Sequence, residues 1–139
     1  MLINVNDLTG QALDYAVAKA DGRTIRHNPM GPTIPGYWIW EEVPSGKGGV
    51  ILSRCIYKKI GGEYSPSTNW GQGGPIIERE RIAIDPYICN EFGAYYKRWG
   101  DAFYQCDENL LIAAMRCFVN YKLGDVVEIP AGLISKYVF

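Results

Sequence analysis

The sequence predicts an α+β fold: a twisted antiparallel sheet with two main helices, about residues 8–21 and 109–123, packed on it in a single domain. Three observations predict it. The stretch "DENLLIAAMRCFVNYKLGD" carries helix signals at both ends. A shorter run near the N-terminus has helical apolar spacing, and between the two lie aromatic and β-branched runs punctuated by glycine and proline.

In the N-terminal run, Asp7 or Thr9 is the cap, and Leu13, Ala16, Val17 and Ala20 recur at i, i+3, i+4, i+7 to make one apolar face. Gly22 supplies the stop. The following "RHNPMGPTIPG" holds three prolines, which forbid regular structure and predict an extended surface loop. From Tyr37, "YWIWEEV", the turn-rich "PSGKGG" and "VILSRCIYKKI" read as a β-hairpin with a long connection. A third strand is expected after Gly61-Gly62, and a short one over Ile82–Ile84 that ends before Pro86. The ring-rich stretch that follows leaves helix and loop both open over residues 86–106, because several rings have helical spacing while Gly93 and Gly100 oppose it.

The C-terminal helix is the clearest element. Asp107 or Asn109 caps it, and Lys122 and Gly124 close it. Apolar residues surround most of its circumference, so it belongs in the core, and only Arg116 and Asn120 interrupt its interior turns. "VVEIP" is a closing strand.

Composition limits the chemistry. A chain of 139 residues, 47% hydrophobic and 21% charged, builds a core without metal or disulfide staples. The formal net charge of −1 argues against duplex nucleic acid, which needs a basic face. The N-terminal segment contains Asp7 and Asp14 and no unbroken apolar stretch, which predicts neither leader nor membrane span and a cytoplasmic protein. Cys55, Cys89, Cys106 and Cys117 are far apart with His27 as the single histidine, so buried free thiols are expected and no metal site.

Two glycine motifs fail as nucleotide fingerprints. Before Gly46-Lys47, Glu41 stands where a phosphate loop needs glycine, and Gly48 replaces its Ser or Thr. In "GQGGPI", Ile76 occupies the position of the third dinucleotide-binding glycine. Glu78 and Glu80 form a carboxylate pair if that segment is a strand. If Pro75 opens a short helix, Glu78 instead pairs with Arg81 at i, i+3. No residue is assigned a catalytic role, and no cofactor is implied.

The remaining signal is rings beside hydrogen-bonding groups. Trp70, Gln72, Arg79 and Arg116, with Asn69 and Tyr64 behind them, are the candidate contributors to an anion site. The competing reading is that Trp70 plugs the core while the polar groups satisfy turn backbone. Two stacked bases contribute roughly 2 to 6 kcal/mol and two charge-assisted hydrogen bonds roughly 3 to 6. Association costs at least about 4, whereas nanomolar capture needs a net of about 12 kcal/mol, so an enclosed pocket between protomers of a homo-oligomer is expected.

"LTGQALDYAVAKADG", "YSPSTNWGQGGPIIERERI" and "LLIAAMRCFVNYKLGDVVEIP" together resemble the NinX-like family of small accessory proteins of temperate phages, over Leu8 to Pro130. Asn69 departs from that pattern, in which an acid precedes the tryptophan. The resemblance implies a nonessential phage protein that modulates the host bacterial cell from its cytoplasm. Joined to the anion-site reading, it suggests a non-catalytic sponge for a small anionic ligand, a nucleotide-type host immune signal, acting in counter-defence. The alternative is a protein-protein inhibitor or adaptor, docked on a host or phage enzyme through the rings at 92–104. A small hydrolase using Glu78 or Glu80 comes third.

Overall fold

The computed structural model describes residues 1–27, 36–44, 53–88, 91–97 and 103–134. Residues 28–35 and 45–52, expected as a surface loop and a hairpin connection, lie outside them, as do Cys89, the ring-cluster residues Arg98 and Trp99, and the last five residues.

Strand β1 (Leu2–Asn4) and a 3-10 turn (Val5–Asp7) lead to helix α1 (Gly10–Ala20) and strand β2 (Thr24–His27). Strands β3 (Tyr37–Pro44) and β4 (Ser53–Lys59) precede helix α2 (Trp70–Glu80). Strands β5 (Ile82–Ile88), β6 (Glu91–Tyr96) and β7 (Gln105–Asp107), helix α3 (Leu110–Leu123), strand β8 (Val126–Glu128) and a 3-10 turn (Ala131–Leu133) complete the described elements.

The architecture is α+β with antiparallel pairing, and the two expected helices are present. The pairing is divided among three small sheets, β1-β8, β2-β3-β4 and β5-β6-β7. The first joins the two ends of the chain, with Leu2 opposite Glu128 and Asn4 opposite Val126.

Helix α3 is the axle. Asn109 Oδ1 accepts from the amides of Leu111 at 3.0 Å and Ile112 at 3.2 Å, and Gly124, at φ +95°, closes the other end. Leu111 and every residue from Ala113 to Asn120 are buried, where α1, α2 and the β5-β6-β7 sheet enclose the helix. Leu13, Ala16 and Val17 of α1 join this core. A second, smaller cluster of Ala18, Ile39, Ile60 and Tyr64 seats the β2-β3-β4 sheet on the other side of α1.

Four local expectations are corrected. Helix α2 starts at Trp70, one turn and a half before Pro75, because Asn69 Oδ1 caps the Gly71 amide at 2.8 Å. Pro75 therefore lies inside the helix. The glycines are helical, and Gly73 has a packing role: a Cβ there would lie 2.5 Å from Pro66 O and 2.6 Å from Leu111 Cδ1, so its bare Cα lets α2 approach α3.

No strand follows Gly61-Gly62. Gly61 turns at φ +86° hard against Gln11 of α1, and a single bridge joins Ile60 to Tyr64. The third strand of that sheet is β2, which precedes the hairpin. β5 runs through Pro86 to Ile88, with a register shift between Asp85 and Ile88 that accommodates the missing donor.

The described part of residues 86–106 is mainly strand, neither helix nor loop. Tyr95 and Tyr96 are neighbours that point to opposite faces, Tyr95 towards Tyr104 and Tyr96 onto Tyr121 of α3. Gly93, which read as a helix breaker, is a strand glycine beside the Tyr104 ring, whose Oη a Cβ would approach to 2.3 Å.

Candidate functional site

Where α2 ends, the chain must reverse into β5 within one residue. Arg81 does this in the left-handed conformation, φ 54° and ψ 46°, and Ile82 then pairs with Tyr96 at the end of β6. The last turn of α3 reaches the same place with Tyr121 and Lys122. These three chain ends surround a solvent-open cleft of about 780 Å³. Arg79, Glu80 and Arg81 line one side, Tyr96 and Lys97 the second, and Tyr121 and Lys122 the third.

Its floor is aromatic. The Tyr96 and Tyr121 ring centroids are 4.4 Å apart, and Phe103 packs edge-on to both, at 6.2 and 5.2 Å. Tyr96 is buried and Tyr121 half-buried, with Lys122 Nζ 5.3 Å from the Tyr121 centroid.

Glu80 organises the charges. Its Oε2 accepts from Arg79 Nε at 3.1 Å, while Oε1 accepts from Tyr96 Oη at 3.2 Å and lies 3.7 Å from Lys122 Nζ. Arg79 also donates through Nη2 to Asp21 Oδ1 at 2.8 Å, and its guanidinium lies 5.7 Å above the Phe118 ring. Burial pushes the Tyr96 hydroxyl far above its ordinary range and Glu80 adds to the push, so Tyr96 stays neutral and donates. Burial pulls the Arg79 guanidinium down, but its hydrogen bond to Glu80 and the charge of Asp21 leave it more basic than usual.

Four cations therefore surround one carboxylate. Arg79 and Lys122 are engaged with it, whereas Arg81 and Lys97 are exposed and make no ion pair with another described residue. Two free cations at the mouth and a ring on the floor suit a ligand with an anionic end and a planar end.

The residues expected from the sequence scatter. Arg79 lines the cleft. Trp70 stands at the other end of α2, 55% exposed. Nine residues of helix separate the two, roughly 14 Å. Asn69 is the cap of α2, and the Gln72 amide is spent on backbone, accepting from Ser65 N at 2.7 Å and donating to Glu63 O. Tyr64 is buried with a hydroxyl that has no partner among the described residues. Arg116 is buried and donates to Leu8 O at 2.8 Å, Cys106 O at 3.3 Å and Asp107 Oδ1 at 3.0 Å.

Glu78 and Glu80, two apart on a helix, point to different sides and form no carboxylate pair. Nor is there a Glu78–Arg81 ion pair among the described residues, since Arg81 has left the helix. Sequence reasoning missed Arg81, Lys97, Tyr121 and Lys122 as one group. The faint signal was the Tyr-Lys dipeptide, which occurs at 57–58, 96–97 and 121–122, the last two brought together only by the fold. Among the described residues no three His, Cys, Asp or Glu side chains converge in a way that could hold a metal ion.

Fold and site define an α+β protein with a cationic, ring-floored cleft between the ends of two helices and a strand. The family model described as Bacteriophage P22, NinX matches residues 4–122, and the chain belongs to that family. The match encloses every residue of the cleft. No curated protein matches the chain. Among the described residues no helix is long and apolar enough to cross a membrane.

Proposed function

We propose that this phage protein is a non-catalytic accessory protein that binds and sequesters a small anionic ligand of nucleotide type in the cleft, in the host cytoplasm. The observation that supports it is the pair of uncommitted cations, Arg81 and Lys97, beside the Tyr121 ring. Glu80 strengthens the reading, because its carboxylate is already neutralised by Arg79, Lys122 and the Tyr96 hydroxyl and so repels an incoming anion little.

Two charge-assisted hydrogen bonds contribute roughly 3 to 6 kcal/mol and one stacked ring roughly 1 to 3. After an association cost of at least about 4 kcal/mol a net of at most about 5 remains, so one cleft yields submillimolar binding at best. A tight sponge therefore needs a second copy to close the cleft, and the exposed Trp70 is a ring such a homo-oligomer contact would cover. Arg79 acts by holding the wall of the cleft. Of the other residues singled out in the sequence, Asn69 and Gln72 support α2, Arg116 braces α3, and Tyr64 belongs to the cluster under the β2-β3-β4 sheet.

Native mass spectrometry and thermal shift against linear and cyclic nucleotides test the proposal. A ligand should add mass and raise the melting temperature of the wild type, and Arg81→Glu with Lys97→Glu should abolish both. A panel in which nothing binds sinks it. The exposed Trp70 also favours a second reading, an inhibitor or adaptor that docks on a host or phage enzyme through that ring. That reading expects a stoichiometric protein partner from infected cells that Trp70→Ala releases.

A further inference from the structure

The β2-β3-β4 sheet has two faces of different chemistry. Ile25, Tyr37 and Ile39 point to α1, where Ile39 joins Ala18 and Tyr37 meets Tyr15 edge-on at 5.5 Å. Because side chains alternate, Arg26, Trp38, Trp40, Tyr57 and Lys59 share the opposite face. The register sorts them into two rows across the sheet. Arg26, Trp38 and Lys59 are direct neighbours in the first, and Trp40 and Tyr57 in the second, about 7 Å further along the strands.

Each row has a polar or stacking handle. The Trp38 indole Nε1 is buried and has no hydrogen-bond partner among the described residues. At the point where a Gly36 side chain would begin, Lys59 Cε is 3.1 Å away, Trp38 Nε1 3.7 Å and Lys59 Nζ 3.9 Å. An indole N–H and an ammonium thus converge on a backbone without a side chain. In the second row the Trp40 and Tyr57 rings meet edge-on at 4.4 Å, and the Arg26 guanidinium lies 4.1 Å from the Trp40 centroid, bridging the rows.

We propose that this face binds a single strand of nucleic acid, with backbone phosphate on the row of Arg26, Trp38 and Lys59 and a base on Trp40 and Tyr57. Charge complementarity selects this occupant. The first row offers two cations to an anion, and the second offers the Trp40 and Tyr57 rings, with the Arg26 guanidinium beside them, to a base. An apolar protein partner would leave both cations buried and unpaired. A duplex hides its base faces, so the rings discriminate between single and double strands. The site is separate from the cleft and does not depend on it.

Fluorescence anisotropy of a labelled oligothymidylate, alone and annealed to oligoadenylate, tests this at low salt with the full chain. The single strand should bind and the duplex should bind more weakly. Two neutralised phosphates predict a salt slope of about −1.4 in log K against log[salt]. Arg26→Glu with Lys59→Glu should remove that slope and the binding, whereas Lys19→Glu, a charge reversal on the exposed side of α1, should not. Trp40→Ala should weaken binding roughly 5- to 150-fold, and Trp40→Phe much less. The proposal is overturned if the oligonucleotide fails to bind. It is equally overturned if the Arg26/Lys59 variant, folded by its thermal melt, binds as the wild type does, or if Arg81→Glu alone removes binding, which would place the strand in the cleft.

Discussion

Asp14 is the most informative single residue to perturb. It lies on the buried side of α1, 2% exposed, and its Oδ1 accepts from the Ser67 amide at 2.9 Å. Burial pushes its carboxyl up from an ordinary 3.8 to about 6, with the Ser67 amide pulling the other way and losing. A carboxyl that titrates near 6 when folded and near 3.8 when unfolded has its charged form disfavoured in the fold by about 3 kcal/mol. The sign follows from proton counting. Below pH 3.8 both states hold the proton, and there is no penalty. Between 3.8 and 6 the unfolded chain releases it while the folded chain keeps it, so stability falls as pH rises, and above 6 the loss is complete.

Asp14→Asn keeps an oxygen to accept from Ser67 and cannot ionise. Its own offset in stability is a constant, and every other carboxylate is shared with the wild type. The difference in unfolding free energy between the two proteins therefore isolates Asp14. Urea unfolding at a series of pH values should show the wild type losing about 2.4 kcal/mol relative to the variant between pH 4 and pH 7, or roughly 8 °C in melting temperature. A difference that stays flat over that range would refute the claim that the carboxyl is desolvated.

Three further perturbations follow from particular contacts. Gly73→Ala places a methyl 2.5 Å from a backbone oxygen, so it should destabilise by about 1 to 3 kcal/mol in urea unfolding as α2 is pushed from α3. Arg116→Met strips two backbone carbonyls and Asp107 of their donor and should cost about 3 kcal/mol by the same measurement. Arg81→Gly relieves a left-handed side-chain residue, worth about 1 to 2 kcal/mol, against roughly 0.5 to 1 of added unfolded-chain entropy. It should raise the melting temperature slightly while weakening any ligand that needs the Arg81 charge.

The elements legible in the sequence are those whose signals are local. Asn109, Lys122 and Gly124 bracket α3 through contacts within a few residues, and the α1 face and the hairpin from Tyr37 are periodic over their own length. Where the reading failed, a distant residue had decided the matter. Gly73 stands where Leu111 of α3 leaves no room for a side chain, and Gly93 where the Tyr104 ring does the same. The third strand of the β2-β3-β4 sheet is β2, whose partner β3 begins ten residues after it ends, too far for a tight-turn signal to mark the pair. The cleft was illegible for the same reason: Arg81, Lys97 and Lys122 each read as an ordinary surface charge, and only the pairing of Ile82 with Tyr96 and the packing of α3 gather them.

The segment from Asn69 to Arg81 acts as a ruler for that cleft. Asn69 fixes where α2 begins, Gly73 fixes how closely it approaches α3, and left-handed Arg81 fixes where it ends. Between the first and last, the eleven helical residues span roughly 16 Å and carry Arg79 and Glu80 to the end of α3 instead of its middle. There Glu80 meets Lys122 and the Tyr96 hydroxyl, so one carboxylate ties together the three chain ends that form the walls. Gly73 therefore serves the cleft at a distance, through helix placement, and touches no ligand. Gly73→Ala should then weaken ligand binding in the cleft even though it lies about two turns from the nearest lining residue, and it should leave oligonucleotide binding on the β2-β3-β4 face intact.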